Sequence, residues 1–469
     1  MNYIWVLIEK FSLVVLKLSI TIILARVLLP TDFGIFAMTA IIVSFSTVLV
    51  DSGIVGALIR KKNVDAKDYS TAFVLNVTIA LILYLICFLL APYISIFYNE
   101  NNLESVIKFT SLVLIFRSLS LVHSAILNRQ ERFKEQAHVY IGSAIVSGLV
   151  AIVAASQGMG YWALVLQVNV EAIVILIVLY SKTKFKPSLK INYNSLKYLT
   201  GFGVSLTLAS LLQTIYENIP SVVIGKVNSK TDLGYFTQAN KLSFMYVSLS
   251  RSIVDKASYP KLSKLAELSA GDNTFENRAE SIVRFFSLLV FFASTFLILS
   301  SSEVITIVLG SKWIESSSYL CILAISSIWM ILESIFRTIL KSKGLAKEIL
   351  KLEVIKRGIG IPILIILAFI SVKVMLYGYV ALAILSCLLN IYSLRYQYLS
   401  LVKISLLDFL KLSILSLLCL FLSDVLIINN DQEVIVTLLL KFSLCAMIYS
   451  LYYVYNRNIY NKNIKQLML

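Results

Sequence analysis

Long apolar runs, each close to the length that spans a bilayer, recur along nearly the whole chain and leave few folds open. A helix needs about 20 residues to cross the hydrocarbon core. Hydropathy places fourteen such stretches, near 4–27, 34–56, 71–91, 106–127, 140–157, 161–180, 198–226, 234–254, 285–302, 316–336, 358–372, 376–394, 410–427 and 434–455. Of 469 residues, 58% are hydrophobic and 14% charged, with a mean hydropathy of +0.85. A soluble chain of this size has too little polar side chain to cover so much apolar surface. The period-two alternation of a membrane barrel is absent. The expected class is an all-α polytopic membrane protein with about 14 transmembrane helices.

The formal charge of +16 then has a topological reading, because Lys and Arg collect in loops that stay cytoplasmic. The even-numbered loops and the tail hold thirty of them, whereas the odd-numbered loops hold only Lys230, Lys312 and Lys373. Both termini are therefore expected in the cytoplasm, and the start "MNYIWVLIEKFSLVVLKLS" reads as a retained first span. No basic stretch is interleaved with aromatics in the manner of a nucleic-acid platform. The longest inner loop, 255–284, looks amphipathic and is expected along the inner surface. Cys87, Cys321, Cys387, Cys419 and Cys445 lie scattered in apolar runs, without metal-like spacing.

A repeat organises the spans. At an offset of 200 residues, "ILARVLLPTDFGIF" (23–36) lies over "VIGKVNSKTDLGYF" (223–236), with Val27, Thr31, Asp32, Gly34 and Phe36 identical in both copies. "ILNRQERFKE" (126–135) is echoed by "ILKSKGLAKE" (339–348). Spans 1–6 and 7–12 thus read as duplicated six-helix units related by an axis along the membrane normal. The expected domains are 1–190, 191–400 and an addition of two helices with a tail, 401–469. In the motif, Asp is expected to cap the helix that follows and Gly to permit a tight turn.

The segments "ARVLLPTDFGIFAM", "VDSGIVGALIRKKNVDAKDYSTAFVLN" and "ILNRQERFKEQA" resemble the polysaccharide transport family of bacterial lipid-linked oligosaccharide flippases (Wzx type). That family shares a superfamily with multidrug and toxin extrusion antiporters and lipid II flippases. The resemblance runs from near residue 1 to roughly 400 and is strongest before 140. It implies two lobes related by pseudo-twofold symmetry around a cavity that opens alternately to either side. It further implies outward movement of an undecaprenyl-pyrophosphate-linked glycan across the bacterial plasma membrane, for O-antigen, capsule or exopolysaccharide assembly. Pathway polymerases and glycosyltransferases are the implied partners, a monomer the expected state, and H+ or Na+ coupling takes the place of a cofactor.

Ionisable residues inside spans are costly, at about 2.5–3.5 kcal/mol each at a helix centre, so they mark cavities or partners. Lys17, Arg117 and Lys241, with Lys10, are the candidates for a cationic lining that receives the pyrophosphate, since guanidinium and ammonium groups suit phosphate. Glu217, Asp51, Glu333 and Glu171 are the candidates for ion coupling, and Lys17 and Glu217 occupy equivalent positions in the two copies. Each has a plainer reading. Lys10 near the inner end can simply snorkel, Glu9 and Lys10 can pair, and Lys17 and Arg117 can hold helices together. His123 and His138, the only histidines, read as packing residues, and Pro220 as a kink in span seven.

Phosphate-loop, H-E-x-x-H and G-x-S-x-G patterns are missing, and no catalytic or metal-binding residues are assigned. A membrane-embedded polymerase or acyltransferase would need reactive groups on substantial outer loops. A drug/cation antiporter of the same superfamily is the other alternative, separable by drug-resistance tests.

Overall fold

In lipid, a helix satisfies every backbone N–H and C=O within its own segment, and each apolar run takes that form. The computed structural model describes the chain apart from residues 1–2, 62–63, 190, 269–273, 396–397, 428–433 and 458–469. The described residues contain no strand. The helices are α1 (Tyr3–Val27), α2 (Pro30–Arg60), α3 (Ala66–Tyr98), α4 (Leu103–Thr110), α5 (Leu112–Arg129), α6 (Phe133–Ser156), α7 (Trp162–Lys182) and α8 (Tyr193–Val227). They continue with α9 (Lys230–Leu268), α10 (Thr274–Leu299), α11 (Ser301–Val308), α12 (Ser316–Ser342), α13 (Ala346–Ala368), α14 (Val372–Leu394), α15 (Leu399–Ile427) and α16 (Val434–Tyr455). Ten helical segments among the described residues are long and apolar enough to cross a membrane. The chain is a multi-pass membrane protein.

Several helices outrun their hydropathy spans. The 255–284 stretch, expected to lie along a surface, instead extends α9 to Leu268 and opens α10 at Thr274. Helical spacing of charges sustains such polar ends: Arg284 pairs with Glu280 at 2.8 Å and Arg357 with Glu353 at 3.2 Å, both at i,i+4.

The chain divides into two compact units, Met1–Gly234 and Tyr235–Leu469. In the first, α1 packs on α6, α5 on α3 and α7, and α8 on α2 and α3. Ile54, Leu58, Phe73, Val122, Ile126 and Leu199 form one apolar cluster at the end where α8 begins.

At the opposite end of α8 the repeated motif finds its explanation. Asp32 lies at the third position of α2 and accepts from the Leu29 N–H at 2.9 Å. Asp232 of α9 accepts from the Ser229 hydroxyl at 2.7 Å, while that hydroxyl accepts from the Asp232 N–H at 3.0 Å. Both carboxylates cap, as expected, by reaching back from inside the helix. The glycines do something other than turn. Gly34 and Gly234 lie within α2 and α9, and neither has a positive φ. A Cβ on Gly34 would stand 1.8 Å from the Lys230 carbonyl oxygen, and one on Gly234 would stand 2.0 Å from that of Pro30. Two first turns cross backbone to backbone, each admitting the other through its glycine, as small residues do between membrane helices. Around the crossing, Lys230 pairs with Glu100 at 2.7 Å and Asp32 accepts from the Tyr161 N–H at 3.1 Å.

In the second unit, α12 packs on α10 and α14, α13 on α14, and α15 and α16 on α10. Phe275, Phe291, Ile331, Phe336, Phe409 and Cys445 belong to its large core. Buried polar contacts fasten the last two helices: Thr295 bonds Ser416 at 2.8 Å and Tyr449 at 3.0 Å. Lys441 joins Glu303 at 2.7 Å.

Candidate functional site

The expected site residues fall in both units. In the first, Lys17 on α1 and Glu171 on α7 are 2.8 Å apart, with side chains 49% and 19% exposed. The structure thus joins an expected phosphate ligand to an expected coupling acid. Lys10 lies two turns earlier on α1 and is exposed, as are Arg117 on α5 and Glu217 on α8. The Asp51 side chain on α2 is outside the described residues. His123 bonds Thr183 and packs its ring 4.0 Å from that of Tyr180, a packing role.

Because Lys17 is half exposed, solvent weakens its attraction to Glu171, and a coupling of about 1 kcal/mol is expected. Lys17→Ala and Glu171→Ala should therefore each lower the thermal midpoint in detergent, and the double variant should lose less than the sum of the two single losses, because either change alone already forfeits the pair. Strict additivity would show that the pair contributes nothing.

In the second unit, Lys241 is exposed on α9, whereas Glu333 of α12 enters a network. Its Oε1 accepts from the Lys356 ammonium of α13 at 2.6 Å. Lys356 also donates to Asn390 Oδ1 of α14 at 2.9 Å, and the Asn390 amide donates to the Glu333 carbonyl at 3.4 Å. The Lys356 side chain is only 7% exposed. A buried ammonium of this kind is tolerable only with such partners.

Glu333 also lines a cavity of about 480 Å³, together with Arg251 and Asp255 of α9, Ser334, Arg337, Thr338 and Lys341 of α12, and Ile349 of α13. The periodicity of α12 puts Glu333, Ser334, Arg337, Thr338 and Lys341 on one face, three or four residues apart. Arg251 is steadied by the Met330 carbonyl at 3.1 Å. Thr338 donates to Asp255, Arg337 approaches Glu353 at 3.5 Å, and Lys341 stands 4.4 Å from the Tyr259 ring centre. With Glu333 matched by Lys356 behind it, three cations face the space against Asp255. Such a cavity suits a polyanion with several acceptor oxygens.

Of the residues at this cavity and in the network behind it, sequence reading singled out Glu333, as a coupling acid, but not Arg251, Arg337, Lys341, Lys356 or Asn390. Arg337, Lys341 and Lys356 stood in the basic stretch 337–357, where they counted toward orientation, and Arg251 stood near the end of the span 234–254. Helical spacing across 333, 337 and 341 was the available signal.

A membrane protein of the cps region of Klebsiella pneumoniae is 21% identical over 371 residues, covering 77% of this chain and 74% of that protein. The lipopolysaccharide biosynthesis protein WzxC of Escherichia coli is 21% identical over 370 residues, covering 77% of this chain and 73% of that one. The lipid II flippase MurJ in its inward closed conformation matches with a TM-score of 0.77 over 97% of this chain and 99% of its own, at 15% identity, so the two share a fold. The profile of the family described as polysaccharide biosynthesis protein matches residues 23–318, well over half the sequence, and the chain belongs to that family.

Proposed function

We propose that the chain is a flippase that carries undecaprenyl-pyrophosphate-linked oligosaccharide repeat units from the cytoplasmic to the outer leaflet of the bacterial inner membrane, for surface polysaccharide assembly. The observation that carries this reading is the cavity in which Arg251, Arg337 and Lys341 stand together beside Asp255 and Glu333. An unaided sugar head would lose the hydration of many hydroxyls and a diphosphate, at several kcal/mol for each polar group left unsatisfied. Fixed polar walls lower that barrier while the polyprenyl tail remains in lipid. The same three cations repel an organic cation, which disfavours drug/cation antiport.

By the positive-inside count, the cavity end bearing Arg337 and Lys341 lies at the cytoplasmic leaflet, level with the diphosphate of a newly made glycolipid. Residues 1–190 and 191–400 are then the two lobes that open alternately, and 401–469 an addition. Lys17 and Arg117, with Lys10, in the first unit and Lys241 in the second would be further cations for the head group. Fourteen crossings put both termini in the cytoplasm, and the chain acts as a transporter rather than an enzyme.

Deleting the gene in its own bacterium should stop surface polymer and make lipid-linked repeat units accumulate in the inner leaflet. Repeat units that still reach the outer leaflet in the deletion strain, with no other flippase present, would refute the reading.

A further inference from the structure

Arg251 and Asp255 stand four residues apart on α9, a spacing at which opposite charges on a helix can pair. Elsewhere in this unit such pairs form, Arg284 with Glu280 at 2.8 Å and Arg357 with Glu353 at 3.2 Å. At the cavity the pair is not made. Base before acid is the weaker order, and α12 offers each group another partner. The Arg251 guanidinium donates to the Met330 carbonyl, from Nη2 at 3.1 Å and Nε at 3.4 Å. Asp255 Oδ1 accepts from the Thr338 hydroxyl. Among the described residues Asp255 has no ion-pair partner, although Arg251, Arg337 and Lys341 line the same space. We propose that Asp255 reads the sugar: its carboxylate accepts from hydroxyls of the hexose joined to the diphosphate, and so selects the glycolipid over the sugar-free lipid. This role rests on the flippase reading and adds a glycan-sensing group to its anion site.

In effect α12 holds a donor and an acceptor apart. Four residues of helix are about 6 Å of rise, and the positive-inside count puts Asp255 on the cytoplasmic side of Arg251. A guanidinium only donates and suits phosphate oxygens, whereas an ionised carboxylate only accepts and needs donors. A diphosphate between two esters has no donor to give. A hexose has several hydroxyls, each able to donate. Thr338 steadies the Asp255 carboxylate through Oδ1 and leaves Oδ2 without a bond among the described residues. The other acid of the cavity wall cannot take this part, because Lys356 already holds Glu333 at 2.6 Å.

The same carboxylate works against the wrong ligand. When a sugar is attached, each phosphate is esterified on both sides and carries one negative charge. The sugar-free lipid ends in a phosphate monoester, whose second proton is lost at about pH 6, so near neutrality it carries an additional charge. That charge stands where the hexose would be, beside an unpaired carboxylate. One residue thereby attracts the glycolipid through hydrogen bonds and repels the bare anion, the combination from which specificity is usually built.

The test titrates two lipids against the full-length protein in detergent at neutral pH: undecaprenyl diphosphate, and the same lipid carrying one glucose. The wild type should hold the glucosyl lipid about tenfold more tightly. Asp255→Asn should remove most of that preference, with the bare lipid binding more tightly than before and the glucosyl lipid gaining nothing. Asp255→Glu keeps a charged acceptor and should keep part of the preference. Thr338→Val, which releases the carboxylate, should narrow it. Arg251→Gln should weaken both lipids alike and preserve their ratio. Both lipids are measured on the same sample, so any unfolded protein cancels from that ratio. Equal affinities in the wild type, or a wild-type ratio in Asp255→Asn, would overturn the proposal and leave the anion site standing. Failure of both lipids to bind the wild type would overturn the anion site and this role with it.

Discussion

Gly34→Ala should destabilise the protein by about 3 kcal/mol, the upper part of the usual range for overpacking, and Gly234→Ala by a similar amount. The added methyl would meet a backbone carbonyl at 1.8 Å in the first case and 2.0 Å in the second. A carbonyl inside a helical turn cannot step aside as a side-chain end can. Gly148 makes the contrast, since a Cβ there meets the flexible Ile20 Cδ1 at 2.4 Å. Gly148→Ala should cost much less. Gly142 and Gly358, where a Cβ would meet nothing within 4 Å, should be neutral or slightly stabilised as Ala, because Ala is the better helix former. The double variant Gly34→Ala with Gly234→Ala should lose clearly less than the sum of its singles. Once the first methyl has pushed the two turns apart, the second finds the space already open. Thermal unfolding read with a thiol-reactive dye suits the measurement, since Cys87, Cys387, Cys419 and Cys445 are buried. Singles no worse than Gly358→Ala would show that the crossing is not close-packed.

The same glycines mark where sequence reading stops. Thr-Asp-x-Gly-x-Phe was visible as a repeat, and its Asp as a cap, because a cap acts within four residues. The glycine's partner lies two hundred residues away, and no local rule distinguishes a glycine that turns from one that admits a neighbouring helix. The apolar runs were legible because each span satisfies its own backbone. Helix ends were not: α13 begins at Ala346, well before the hydropathy span at 358, since charges at i,i+4 prolong a helix into polar surroundings. Lys356 was lost through that error. Counted as a loop cation, it became a vote for orientation, whereas on a helix it is a buried partner for Glu333. Lys17 and Glu171 were both singled out, but as members of different sets, because their pairing needs α1 and α7 side by side.

Replacing Arg251 and Arg337 together by Gln should abolish surface polymer while leaving the protein in the membrane. A hydrogen bond to a charged group contributes about 1.5–3 kcal/mol, so losing either guanidinium should weaken binding of the diphosphate by about tenfold or more. Undecaprenyl diphosphate without sugar is the direct probe, because it carries the anion and the tail alone. Arg251→Lys should recover only part of the affinity, since an ammonium offers a point charge where guanidinium offers paired donors. Asp255→Asn works in the opposite direction. It removes the carboxylate that faces the three cations and keeps an acceptor for Thr338, so the probe should bind more tightly and leave more slowly. Lys347 and Lys351 are exposed on α13 and absent from the cavity wall; Ala at either should change nothing beyond ordinary screening of surface charge. If those two variants weakened binding as much as Arg251→Gln, the anion would be responding to the net basicity of this end of the helices, and the cavity would have no particular part in recognition. The opposite signs expected for Asp255→Asn and Arg251→Gln separate the cases, because diffuse attraction would give Asp255→Asn only the small gain of any surface acid removed.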